Sequence, residues 1–321
     1  MTRCLRILLA LCGLLLALPA AAASFSGCWN QGVSGIVFGN VSIDRGTDAT
    51  GSVTLGCQSQ ESPGFLRYCL YLPEGTPSGI APRRATNHKG AYLLYDLYSN
   101  AARTSVIGPP PSGGGFPVYT SVVAIAGNYS QSLHKVLIYG RVAAGQNLPA
   151  DDYDAQLSNA VLAWTFSPSA PPPACIQGAD SGAISFYFDV TAKVPDNCRI
   201  GIATDLDFGA AANLVSARQS MSTVTVRCPT GTPWALGLDN GANALAGTRR
   251  MRNAANRFVA YEMYRDAARS RRWGSSAPDN VTGVGQGIAT PNVLTVYGQV
   301  PAQGTVPAGN YADTVIVTLT Y

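Results

Sequence analysis

The chain repeats itself, and the repeat constrains the fold more than any other feature. Residues 92–103 read Tyr-Leu-Leu-Tyr-Asp-Leu-Tyr-Ser-Asn-Ala-Ala-Arg, and residues 258–269 read Phe-Val-Ala-Tyr-Glu-Met-Tyr-Arg-Asp-Ala-Ala-Arg. Both runs then reach a glycine, Gly108 and Gly274. Tyr139-Gly140-Arg141-Val142 returns as Tyr297-Gly298-Gln299-Val300, and Leu148 to Tyr153 returns as Val306 to Tyr311. Upstream, Phe38-Gly39 matches Phe208-Gly209, and Cys57 matches Cys228. The matches keep their order from residue 38 to 153 and from 208 to 311. Solenoid repeats have shorter periods, so this is one domain, duplicated and diverged.

The start of the chain reads as an export signal. Arg3 and Arg6 precede an apolar run from Ile7 to Leu18, and Ala21-Ala22-Ala23 supplies small residues for cleavage. Residues 1–23 are therefore assigned to a signal peptide, and the apolar run is short of the ~20 residues that span a bilayer. Cys4 and Cys12 fall inside it, leaving Cys28, Cys57, Cys69, Cys175, Cys198 and Cys228. An even number in an exported chain argues for disulfides. Cys28 and Cys57 flank Phe38-Gly39 as Cys198 and Cys228 flank Phe208-Gly209, so each pair is expected to staple its own domain. Cys69 and Cys175 remain and are expected to join each other. The rival use of cysteine is a metal, but no C-x-x-C spacing occurs, and His88 and His134 have no ligand-like neighbours. No metal or cofactor is expected.

With 34 Gly, 21 Pro and only 12% charged residues, the chain has the composition of an all-β extracellular protein. Alternation marks strands at residues 52–55, 223–226 and 314–321, and turn clusters such as residues 274–280 separate them. The spacing predicts two separate sandwiches of six or seven strands each. The best helical candidate, Arg249 to Arg257, is short. Ser167-Pro168-Ser169-Ala170-Pro171-Pro172-Pro173 reads as a stiff linker, so residues 24–166 and 183–321 are assigned to two domains and 167–182 to their connection.

Chemistry is sparse. A net charge of +4 implies no nucleic-acid partner. Arginines crowd residues 249–272 and could meet an acidic polysaccharide or lipid, but a solvated rim with Glu262 and Asp266 as partial counter-charges is the reading favoured. No Gly-x-Ser-x-Gly elbow is present, and neither histidine has a counterpart in the other half. Asp151, Asp152 and Asp154 resemble a calcium cluster only in composition; the equivalent stretch of the second half has Gly309, Asn310 and Asp313, and a polar turn is expected. The glycine-rich segment 283–287 has no strand–helix unit around it and reads as a loop. No enzyme is expected.

Several spaced motifs of the second half agree with one family. They are Thr204-Asp205-Leu206-Asp207-Phe208-Gly209, Thr223 to Cys228, Val296-Tyr297-Gly298, and Pro307-Ala308-Gly309-Asn310-Tyr311-Ala312-Asp313 before an alternating end at Tyr321. This resembles the spore coat protein U domain, the pilin domain of archaic (Csu-type) chaperone–usher pili. The first half matches more loosely through Phe38-Gly39, Cys57, Tyr139-Gly140 and Tyr153. The resemblance implies two immunoglobulin-like β-sandwich domains in tandem, the C-terminal one an incomplete pilin-type sandwich. Such a domain is completed by an extended donor segment from a neighbouring pilin subunit, or by a periplasmic chaperone before an outer-membrane usher assembles it.

In single-domain members the donor precedes the first cysteine. Here only Ser24 to Gly27 lie between the signal and Cys28, while a donor-like strand, with Ile184, Phe186, Phe188 and Val190 alternating with polar residues, is internal. It is expected either to complete the first domain or to begin the second. Val315, Val317, Leu319 and Tyr321 are expected to line the acceptor groove. A subunit that accepts but cannot donate belongs at the distal tip of a fimbrium on the cell surface. The resemblance then makes the first domain an adhesin for a host or abiotic surface, with Tyr71, Leu72, Ile80, Phe116, Val118 and Tyr119 as contact candidates in Gly/Pro-rich loops. The alternative is a non-adhesive structural pilus or coat subunit.

Overall fold

The computed structural model describes residues 25–42, 44–111 and 114–321; the signal assigned to residues 1–23 lies outside them. Among the described residues the chain is all strand and loop.

The first half forms ten strands: β1 (Phe25–Ser34), β2 (Ile36–Asn40), β3 (Thr47–Ser59), β4 (Gly64–Tyr71), β5 (Arg83–Thr86), β6 (Tyr92–Tyr98), β7 (Tyr119–Ile125), β8 (Gln131–Val142), β9 (Asp151–Ser167) and β10 (Ser181–Val194). One layer runs β1-β3-β8-β6-β5 and the other β7-β4-β9-β10-β2, the two meeting at a single β5–β9 pair. The second half forms eight: β11 (Arg199–Ala203), β12 (Arg218–Arg227), β13 (Pro233–Leu238), β14 (Arg249–Arg252), β15 (Phe258–Tyr264), β16 (Val281–Val284), β17 (Asn292–Val300) and β18 (Val317–Thr320). Its layers run β11-β12-β17-β15-β14 and β16-β13-β18. The expected six or seven strands per domain are thus ten and eight. The stretch from Arg249, read as a possible helix, starts with β14, paired to β15.

Laid over each other, the two five-stranded layers correspond strand for strand. The second layers do not: β7-β4-β9 matches β16-β13-β18, and then the first domain adds β10 and β2 where the second has no strand. β10 pairs antiparallel with β9 from Ser181↔Thr165 to Val194↔Asp151 and parallel with β2. Its strict alternation puts Phe186, Phe188, Val190, Ala192 and Val194 into the first core. Gly35 lets β2 approach, since a side chain there would run into the Asp189 backbone. The donor-like segment therefore belongs to the first domain, which corrects the boundary at residue 183. The proline run does not join the domains either: it lies in the connection between β9 and β10, two strands of one sheet. The domain junction is the segment between Val194 and Arg199.

The sulfur bonds are Cys28–Cys57, Cys69–Cys175 and Cys198–Cys228. Cys28 and Cys57 face each other in register across β1 and β3.

A buried arginine sits at the same place in each sandwich. Arg83 donates to Asp96 Oδ1 at 2.7 Å and to the carbonyls of Leu72, Pro73 and Ile107. Arg249 donates to Glu262 and to the carbonyls of Leu238, Asp239 and Trp273. Each side chain is fully buried. The planar fork of guanidinium satisfies one carboxylate and three backbone oxygens at once, which an ammonium cannot do. Removing Arg83 would strip the Asp96 charge and three carbonyls of their donor; removing Arg249 strips three carbonyls but leaves Glu262 its pair with Arg272 at 2.7 Å, a loss of about 1–3 kcal/mol. Arg249→Met should therefore destabilise the second sandwich by that amount, read from hydrogen exchange in β13 and β14 of the full chain, and Arg249→Lys should recover little of it. Unchanged exchange in Arg249→Met would show that the cluster is not what holds these strands.

Candidate functional site

The missing strands leave a groove. β18 has β13 on one side and, among the described residues, no strand on the other. Val315, Val317 and Leu319 pack against the second core but stay half-buried, and Tyr321 is 59% exposed. Their counterparts on β9 are Leu157, Ala160 and Leu162, at 0%, 0% and 1% exposure under β10. The same positions are thus sealed in one domain and open in the other.

A cavity of about 600 Å³ lies ahead of β18 in the chain, at residues 306–311, and is lined in part by Leu206, Phe208, Met251, Val259, Val300 and Tyr311, whereas Val315, Val317 and Leu319 do not line it. The first-domain counterparts of five of these are Phe38, Ala85, Leu93, Val142 and Tyr153, all buried. There the space is closed by the end of β10: Ala192 pairs with Tyr153 and Val194 with Asp151. Residues 206–214, which match the β2 region, form no strand, as they have no β10 to pair with. An uncovered apolar strip beside an unpaired strand edge can bind one thing well, an extended segment with alternating apolar side chains.

The groove rests on fixed supports. Tyr311 Oη donates to Pro307 O at 2.8 Å, as Tyr153 does to Pro149 O at 3.0 Å. The Gln303 side chain bridges Ala260 N and O, as Gln146 bridges Leu94 N and O. Arg269 donates to Gly298 O over the Tyr297 ring, as Arg103 does to Gly140 O over Tyr139. The backbone is held in both domains, so the difference is the absent strand and not a collapsed sheet.

The surface-contact candidates divide. Leu72 is fully buried in the first core, and Tyr71 is covered with Cys69, Ala163 and Cys175. Neither is available to a surface, which corrects their place among the exposed loop residues. Tyr119 begins β7, packs edge-on to Tyr68 and donates to Leu137 O at 3.0 Å; burial pushes its hydroxyl up to about 12. Ile80 and Phe116 are half-buried, and Val118 is 40% exposed.

The aspartates at the start of β9 each have a side-chain partner: Asp151 meets Lys89 at 2.9 Å, Asp152 meets Lys193 at 3.8 Å and Asp154 meets His88 Nε2 at 2.9 Å. Among the described residues no group of acidic, histidine or cysteine side chains has the arrangement of a metal site. In the arginine-rich stretch, Arg249 is buried, Arg272 pairs with Glu262 at 2.7 Å, and Arg265 caps the carbonyls of Pro278 and Asn280. Arg252, Arg257 and Arg271 are exposed. Arg249 is thus buried and not part of the solvated rim expected for residues 249–272, and the signal that sets it apart is its match to Arg83: the two stand at equal distances before Glu262 and Asp96.

Comparison with known proteins agrees with this architecture. The Spore Coat Protein U domain matches residues 15–158 and again residues 184–318. Protein U of Myxococcus xanthus is 33% identical over 149 residues, covering 46% of this chain and 78% of that protein. A chain of the CsuC–CsuE chaperone–tip adhesion subunit pre-assembly complex, from the archaic chaperone–usher Csu pili of Acinetobacter baumannii, shares the fold at a TM-score of 0.55 and 18% identity. The match covers 92% of this chain and all of that one. The second sequence unit begins at residue 184, inside β10, whereas β10 folds into the first sandwich. The strand is encoded with one domain and packed into the other. The chain belongs to the Spore Coat Protein U domain family and carries that domain twice.

Proposed function

We propose that this chain is the tip subunit of a chaperone–usher pilus, exported through the periplasm, and that its second domain takes up a donor strand from the next pilin while its first domain contacts a surface. The observation that carries the reading is the contrast between β9 and β18. Leu157, Ala160 and Leu162 are sealed by β10, whereas Val315, Val317 and Leu319 stay half-buried beside an edge that no strand covers among the described residues. A periplasmic chaperone would cover that strip before an outer-membrane usher hands it to the neighbouring subunit. Both strands that could serve as donors, β1 and β10, are paired inside the first sandwich, which supports an acceptor-only role. Within the first domain Val118, with Phe116 and Ile80, offers the apolar contact.

A donor peptide from a shaft pilin should bind the full chain and raise the melting temperature of its second domain. At a hundredfold excess over Kd the gain is roughly 2.7 kcal/mol. No shift with any such peptide, or one assigned by hydrogen exchange to the first domain, would remove the donor-strand reading.

Antibody–gold against the first domain should mark each pilus once, at its far end. Label along the shaft would exclude the tip position.

Val118→Asp should lower attachment while leaving secretion and assembly intact, because exposed substitutions cost under ~0.5 kcal/mol. Wild-type attachment by this variant would separate the tip position from adhesion and favour a non-adhesive cap.

A further inference from the structure

The two domains share their buried arginine, their tyrosine hydroxyl contacts and their glutamine bridges, yet one polar group is present in the open domain alone. Asp313 Oδ2 accepts from Tyr261 Oη at 2.8 Å, and its Oδ1 accepts from Asn243 N at 3.1 Å and Asn243 Nδ2 at 2.9 Å. Gly241 lies against the carboxylate in a left-handed turn, with φ of +79°, where a side chain would strike the Asp313 oxygens. Three residues further along, Ile316 N donates to Asp239 Oδ1 at 2.9 Å and Ile316 O accepts from Asp239 N at 3.1 Å. Burial, with Asp313 beside it, holds the Tyr261 hydroxyl well above its usual range, so it remains a donor.

The correspondence between domains is fixed by shared backbone bonds. Ala242 N donates to Thr314 O as Thr76 N donates to Gln156 O, and Arg249 meets Asp239 O as Arg83 meets Pro73 O. Through this register Asp313 stands where the first domain has Ala155, Asn243 where it has Pro77, and Asp239 where it has Pro73. Tyr261 stands where it has Tyr95, whose buried hydroxyl has no partner among the described residues. In the first domain Ala155 is instead covered by its pair Val190 on β10. The hydrogen bonds of one domain take the place of the apolar cover of the other.

We propose that Asp313, with Asn243 and Asp239, is a lock that holds the uncovered 311–316 segment to the β13–β14 connection and, through Tyr261 on β15, to the opposite layer until a donor strand arrives, so that the groove is already shaped when the strand enters. Asp313 is thus a positioning residue for strand capture. This rests on the donor-strand reading above. A segment with a free edge and a half-buried apolar face frays unless something else ties it down, because fraying gains backbone entropy at little cost in burial. A carboxylate with three donors is a strong tie at such a place. Holding the segment in its bound shape removes the ordering cost from the moment of binding, which raises affinity without adding a contact.

The test compares the full-length wild-type chain with Asp313→Ala and Asp313→Asn. Without donor, amide exchange over residues 311–318 should quicken about tenfold in Asp313→Ala and less in Asp313→Asn, which retains one acceptor. Exchange in β9 and β10 should not move. With a saturating shaft-pilin donor peptide, wild type and variant should exchange alike, while the association rate of the peptide falls about tenfold in Asp313→Ala. Equal exchange in the donor-free proteins overturns the lock. An exchange difference that persists undiminished in the bound state also overturns it, since that is a structural tie with no part in capture. If Asp313→Ala fails to fold, Asn243→Ala combined with Tyr261→Phe removes two of the three bonds and is read the same way. A wild-type chain that binds no donor peptide removes the donor-strand reading and with it the role in capture, whereas the donor-free exchange comparison still decides whether the segment is tied.

Discussion

The antiparallel pairing of β10 with β9 is the interaction on which the asymmetry of this molecule depends. It supplies the first sandwich with a ladder along almost the whole of β10 and with five buried side chains, from Phe186 to Val194. Each large apolar side chain so buried is worth roughly 1.5–3 kcal/mol. The second sandwich has the same opposite layer, the same central strands and the same buried arginine, but among the described residues no strand in that position. Duplication thus produced two equal frameworks, and the use of a single strand made one of them closed and the other open.

What duplication kept is mostly polar. Arg83 and Arg249, Gln146 and Gln303, Arg103 and Arg269, and Tyr153 and Tyr311 make the same bonds to the same backbone groups. Apolar positions drifted more freely, Leu93 to Val259 and Leu97 to Met263 among them. A core tolerates exchanges of similar volume, whereas a buried donor aimed at a particular carbonyl has few substitutes.

Much of this was legible in the chain. Alternation, glycine- and proline-rich turns and scarce charge pointed to an all-β fold, and the repeat pointed to two copies. Alternation in residues 184–194 says that a strand has two faces, but not which sheet it joins, since that is settled by non-local pairing with β9. The proline run was ambiguous for the same reason: a stiff connection serves a link between strands as well as a linker between domains. Tyr71 and Leu72 looked exposed because Pro73 follows. The unbroken run Tyr68-Cys69-Leu70-Tyr71-Leu72 was the better clue, for a strand covered on both faces has no polar side. Arg249 was hidden in a crowd of arginines, and nothing local separates a buried cation from its solvated neighbours. Asp313 looked like part of a polar turn, and its value emerges only from Tyr261 and Asn243, which are distant in sequence.

The route of the chain at the domain junction has a mechanical consequence. β10 runs directly into the short segment before β11, so once the bonds from Asp44, Asn147 and Leu148 to the second domain give way, tension between the domains enters the first sandwich at Val194. A strand drawn along its own length loads its ladder hydrogen bonds together, in shear, whereas one lifted from its end breaks them in succession. The strand that closes the first domain is therefore also its anchor under load, clamped by β9 on one edge and β2 on the other.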